Sequence, residues 1–107
     1  MNVQFKKGIL ELCVLVLLDK KDCYGYELVQ RISSKIEISD GSIYPLLRRL
    51  TKADYFTTYF QESKEGPARK YYALTEKGKK HLHQQMQEWK EFSKAVNELI
   101  EEGIDDE

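Results

Sequence analysis

Between Ser39 and Leu50 the chain reads SDGSIYPLLRRL, which sets glycine, hydroxyls, a proline and two adjacent arginines on one short stretch. Gly41, Ser42, Tyr44, Pro45 and Arg48 are the members with chemistry to offer. Arg48 can bridge the O6 and N7 of a guanine, and Ser42 can bond either a phosphate or a base edge. Tyr44 brings a phenol for phosphate or an apolar ring for a thymine methyl. Gly41 lets backbone approach a phosphate, and the N-terminus of a helix offers it unpaired N–H groups. Pro45 is the awkward member, because it removes one N–H and disfavours helix at Tyr44. That loss is mild within a first turn. The chemistry is recognition of a polyanion, with no bond made or broken.

The same stretch must also be an element of a fold. Ser39 and Asp40 are both good N-caps. Ile43, Leu46, Leu47 and Leu50 then recur at i, i+3, i+4 and i+7, an amphipathic stripe that predicts a helix. On a wheel, Gly41, Pro45, Arg48 and Lys52 point away from that stripe, and Ser42, Tyr44 and Arg49 lie on its flanks. These side chains are spare to a core.

Upstream, Gly8 to Leu18 is apolar except for Glu11. Periodicity does not separate buried strand from buried helix in such a run, and VLVLL leans toward strand. Length and the polar residues before it favour a helix from about Phe5 to Asp19. A helix apolar on nearly all sides needs cover from more than one direction, which points to a second chain. Lys6 and Lys7, just before this helix, are placed to clamp a phosphate. YGYELVQRISSK reads as a second helix, and IEIS as a connector with room for one brief strand.

Downstream the period changes. YFTTYFQE (Tyr55 to Glu62) and RKYYAL (Arg69 to Leu74) are aromatic and β-branched, and SKEGPA between them carries a Gly66-Pro67 turn signal. Together they predict a β-hairpin. Lys64, Arg69 and Lys70 put three cations at or beside its tip, suited to a phosphate backbone or a minor groove. Thr75 caps a long final helix running to about Glu102. Leu82, Met86, Trp89, Ser93, Val96 and Ile100 follow a heptad seam, widened by Phe92 and Leu99, which reads as a dimerisation arm.

Three helices, a hairpin and a long helix make a mainly α fold with a β-hairpin wing: a winged helix-turn-helix over residues 1–74 and a C-terminal dimerisation helix with an acidic tail over 75–107. The charge follows that division. Residues 1–74 hold 12 Lys/Arg against 9 Asp/Glu and residues 75–107 hold 5 against 9, so +3 and −4 give the net −1. A mildly basic front suits a protein that offers one end to a polyanion.

Other chemistries find little support. Cys13 and Cys23 form no CxxC pair, which fits a reducing cytoplasm and no zinc site, and Cys13 reads as buried and inert. His81 and His83 are two apart on a helix and face different ways, so they suit neither a metal nor acid–base work. The N-terminal run imitates a signal peptide, but Glu11 interrupts it and DKKD stands where small cleavage-site residues belong. It is also too short to span a bilayer. No catalytic residue, metal or cofactor is expected.

LELCVLVLLDKKDCYGYEL, DGSIYPLLRRLTKADY and GPARKYYALTEKGKK, in that order and spacing, resemble the PadR-type transcriptional regulators, a family of winged-helix repressors. The resemblance runs from about Phe5 to the end of the chain. The single C-terminal helix is similar to the small subgroup, in which this arm packs onto the partner's first helix. The resemblance implies a cytoplasmic homodimer that binds a palindromic operator and represses transcription. Ser42, Tyr44 and Arg48 would read DNA from the third helix, and Arg69 and Lys70 from the wing. Some small members of the family also hold flat aromatic compounds at the dimer interface, which implies a stacking role for Trp89 with Phe92, Met86 and Val14 as neighbours; the alternative for a tryptophan on a heptad seam is interface core. A winged helix that binds another protein, with little affinity for DNA, is the competing reading, and the near-zero net charge favours it.

Overall fold

A computed structural model describes residues 3–39 and 41–105, with side chains for 8–39 and 41–104. Helix α1 is Val3–Lys20, strand β1 Cys23–Tyr24, helix α2 Gly25–Ser33 and helix α3 Ile43–Lys52. Strands β2 (Phe56–Ser63) and β3 (Gly66–Leu74) form the wing, and helix α4 is Glu76–Asp105.

One core joins these elements. From α1 it takes Leu10, Val14, Leu15 and Leu18, and from α2 Leu28 and Ile32. The α3 stripe enters whole, as Ile43, Leu46, Leu47 and Leu50, and Phe56, Tyr72 and Leu82 close it from the sheet and α4. Helix α1 starts before its apolar run, because Gln and Lys are good helix formers. Lys6 and Lys7 therefore lie inside α1 rather than ahead of it; their side chains fall outside the described residues.

The sheet has the order β1-β3-β2 and is antiparallel throughout. Its third strand is not IEIS: residues 36–39 are irregular, and Ile36 and Ile38 pack against the core. The brief strand is Cys23–Tyr24, paired with Tyr72 and Tyr71 at the mouth of α2. Ser63 pairs with Gly66, so the hairpin turns at Lys64–Glu65 and not at Gly66-Pro67. Pro67 instead stands early in β3, where a strand tolerates a missing donor.

Helix α3 ends in a Schellman motif. The Tyr55 N–H donates to the Leu50 carbonyl and the Asp54 N–H to the Thr51 carbonyl, each at 3.0 Å. Asp54 takes the left-handed position that this cap requires (φ 64°). The turn delivers the chain into β2 and brings Tyr55 to the root of α4. There Thr75 caps α4: its Oγ1 accepts the Gly78 N–H at 2.9 Å and donates to the Asp54 and Tyr55 carbonyls at 2.7 and 3.1 Å. A Cβ on Gly78 would run into the Tyr55 carbonyl oxygen, so the end of α3 and the start of α4 meet at a position only glycine fits.

Helix α4 has 30 residues, about 45 Å of helix at 1.5 Å per residue. Leu82 and Met86 in its first turns pack on the core. Beyond them Trp89, Phe92, Val96, Leu99, Ile100 and Ile104 stand exposed along the helix, which stretches the molecule to 59 × 27 × 21 Å. On α1, Leu12, Cys13, Val16 and Leu17 are only half-buried.

Candidate nucleic-acid interface

The burial of the α3 stripe decides what the helix shows to solvent. With Ile43, Leu46, Leu47 and Leu50 inside, Gly41, Tyr44, Pro45, Arg48 and Lys52 are exposed and Ser42 is partly so. The helix begins at Ile43 with Ser42 as N-cap, later than either predicted cap. Ahead of it, Ser39 and Ser42 form a tight turn: the Ser42 N–H reaches the Ser39 carbonyl at 3.1 Å, and their hydroxyls lie 2.6 Å apart. Asp40 lies outside the described residues. The later start resolves Pro45, which becomes the third helical residue, inside the turn whose N–H groups have no intrahelical partner.

Tyr44 is held by sterics. Gly25, at the start of α2, leaves the room its ring occupies, and a Cβ there would come within 2.8 Å of the Tyr44 Cε1. Tyr72 of β3 lies within electrostatic reach of both Tyr44 and Arg48. Burial pushes the Tyr72 phenol pKa up, with Tyr44 adding to the rise and Arg48 opposing it. Pro45, Arg48, Arg49 and Lys52 line a shallow groove of about 340 Å³ on the outer face of α3. Arg48 makes no ion pair among the described residues, whereas the Arg49 guanidinium lies 3.8 Å from Glu11 of α1.

The wing separates two cations that are adjacent in sequence. Successive residues of a strand face opposite sides, so Lys70 shares the face of Tyr72 and Leu74 toward the helices, and Arg69 takes the other face with Tyr71. The Lys70 ammonium lies 5.7 Å from the Tyr72 ring centroid. The Arg69 guanidinium sits over Tyr24, 4.6 Å from its centroid. Tyr24, Tyr71 and Tyr59 continue that outer face, with Tyr71 and Tyr59 stacked at 5.5 Å. The Tyr59 hydroxyl donates to Asp22 at 2.7 Å, and this bond pushes its pKa up to about 12. Lys64 stands at the turn, exposed.

Tyr44, Arg48 and Lys70 are thus brought around Tyr72, while Arg69 is directed elsewhere. Phe60, cross-strand partner of Lys70, is 71% exposed on the same face as that cation. The sequence reading missed it, although alternation from buried Phe56 puts it on that face.

A second feature lies between α1 and α4. Trp89 and Phe92, with ring centroids 6.5 Å apart, line an open groove of about 540 Å³ together with Gly8, Ile9, Leu12, Gln85 and Glu88. Two predicted neighbours are absent from its lining. Val14 is fully enclosed in the core, on the side of α1 away from Ile9 and Leu12, and Met86 turns toward the core beside Leu82. Cys13 is half-buried rather than buried, and burial raises its thiol pKa. Among the described residues no helix is long and apolar enough to cross a membrane.

Known proteins share this architecture. The chain is similar to a PadR-like transcriptional regulator of Bacillus cereus at 39% identity and TM-score 0.82, covering 91% of this chain and 96% of that one. It matches the smu.1704 protein of Streptococcus mutans at 37% identity and TM-score 0.83, covering 89% of each. It is 33% identical to the transcriptional regulator YqjI of Escherichia coli over 94% of its own length, but spans only 44% of that protein. Residues 14–84 match the family model described as the transcriptional regulator PadR-like family. With its winged helix and its cationic third helix, the chain belongs to that family, whose members are DNA-binding regulators of transcription and not enzymes.

Proposed function

We propose that this regulator acts as a homodimeric repressor on a palindromic operator, with α3 in the major groove and the wing over the flanking backbone. The carrying observation is the α3 surface itself, where Tyr44 and Arg48 are exposed while the apolar stripe of the same helix is wholly buried. Arg48 carries base recognition. Ser42 and the free N–H groups of the first turn serve a phosphate, with Gly41 allowing close approach. Lys70 on the helix side of the wing and Lys64 at its turn lie along the backbone, and Phe60 offers an apolar edge to the minor groove. Arg69 joins them where its guanidinium leaves the Tyr24 ring.

The second subunit is supported by the exposed apolar stripe from Trp89 to Ile104 and by the half-buried face of α1. Packed across a twofold axis, each arm covers the other subunit's first helix, and the two α3 helices stand roughly 34 Å apart, one DNA turn. A planar hydrophobic effector in the groove at Trp89 and Phe92 relieves repression by favouring a different angle between subunits. It shifts the equilibrium only by its differential affinity for the two forms. Quenching of Trp89 fluorescence by a panel of planar hydrophobic compounds would support this, and an unchanged signal would remove it.

Selection of bound sequences from random duplex DNA tests the whole reading. Two inverted half-sites, centred about one turn apart, are expected. Binding that shows no sequence preference and no salt dependence would instead favour a winged helix that recognises protein.

A further inference from the structure

Glu11 is the one acid in the apolar run of α1, and the DNA-binding reading makes no use of it. Its side chain is 13% exposed, a costly position for a carboxylate without partners. A single oxygen, Oε1, faces two of them: the Arg49 guanidinium of α3 at 3.8 Å and the His81 Nε2 of α4 at 3.3 Å. The imidazole is stacked on Tyr55, with centroids 4.1 Å apart and planes 2° from parallel, which fixes its orientation. The same Nε2 lies 3.1 Å from the Gln85 side-chain nitrogen, and Gln85 lines the α1–α4 groove.

One ring nitrogen serves these two neighbours in different forms. With a proton, Nε2 donates to Glu11; without one, it accepts from the Gln85 amide. In the first form Glu11 already holds a donor and its pull on Arg49 is weakened. In the second a lone pair faces the carboxylate, and the Arg49 guanidinium at 3.8 Å is the cationic partner that Glu11 retains. The stacked ring stays in place in both, so the alternatives are discrete. Arg49 is 46% exposed and stands in the same shallow groove as Arg48 and Lys52. A guanidinium not held by Glu11 is therefore placed to meet a phosphate.

We infer that Glu11 is a positioning residue that sets how many cations α3 presents to DNA, withholding Arg49 or releasing it according to which neighbour His81 serves. The inference rests on the DNA-binding reading and adds a regulation to it. Gln85 is the input, because it joins the groove at Trp89 to the reading helix through His81 and Glu11.

The salt dependence of duplex binding reports phosphate contacts separately from folding. Glu11→Gln keeps the side-chain shape and drops its charge, and it should steepen the salt slope by about one per subunit. Gln85→Leu should move the slope in the same direction by less. Adding Arg49→Ala to either variant should return it to the parent slope. A parent-like slope in folded Glu11→Gln, or a rise that survives the loss of Arg49, would overturn the inference. Should Glu11→Gln fail to fold, Gln85→Leu carries the test, and a parent slope there overturns it equally. If the parent binds duplex and Arg48→Ala weakens it while these slopes stay put, only the role of Glu11 falls. If the parent shows no salt-dependent binding, the DNA reading falls with it.

Discussion

Helix α3 and the outer half of α4 both carry side chains that their own core does not use, and the two surpluses differ in kind. On α3 the surplus is Tyr44, Arg48 and Lys52, polar or cationic and clustered within three turns, with Pro45 among them. On α4 it is Trp89, Phe92, Val96, Leu99, Ile100 and Ile104, apolar and drawn out along the helix. A cationic surplus loses little in water and gains most against a polyanion. An apolar surplus remains unfavourable in water until another apolar surface covers it. On the proposed reading, DNA meets the first surplus and a second subunit covers the second, both by the same principle of amphipathicity.

The comparison breaks most readily on the α4 side. Leu99→Lys with Ile100→Lys places charge on the apolar stripe. It should abolish the dimer in sedimentation and lower the melting temperature, since α1 loses its cover, while each chain still unfolds cooperatively. A dimer that survives would show that the stripe is not its contact. Arg48→Ala should weaken the selected operator by about 1–3 kcal/mol and relax one base position. Lys70→Ala should weaken all sequences alike and lower the salt slope by about one. Equal behaviour of the two variants would erase the distinction between reading and anchoring.

A smaller effect is expected at the cap between the two helices. Asp54→Gly removes the strain of a left-handed non-glycine residue and should raise stability by about 1 kcal/mol, with DNA affinity unchanged. Thermal melting and operator titration check both halves. The smallest effect is on the outer face of the wing. Tyr59 has a folded pKa raised above its ordinary value near 10, so the Asp22 bond stabilises fully below pH 10 and is lost as pH rises toward 12. In a tyrosinate absorbance titration, Tyr59→Phe should delete the last-ionising step. Its persistence would reassign that step to another phenol.

The α3 stripe was legible because one face is wholly apolar and the other wholly not, so a 3.6-residue period fixes the orientation. The hairpin and the Thr75 cap were legible for similarly local reasons. Strand β1 was not, since two residues carry no period and its pairing with Tyr71 and Tyr72 lies far along the chain. The turn was misplaced because Gly-Pro is the stronger local signal, whereas the Ser63 to Gly66 register decides. Val14 could not be oriented, because α1 is apolar on nearly all sides and no face stands out. Arg69 and Lys70 share a tip in sequence, but the pleat parts them. The approach of Glu11, Arg49 and His81 joins three helices and leaves no trace in any one window.

Where the Tyr55 carbonyl meets Gly78, the end of α3 and the root of α4 share one fastening. In a twofold assembly the distance between reading heads then depends on the angle at this root and not on any base-touching side chain. On the proposed geometry, substitutions around the root would change the gap between half-sites while each half-site keeps its letters. Operator spacing would then be set apart from operator sequence.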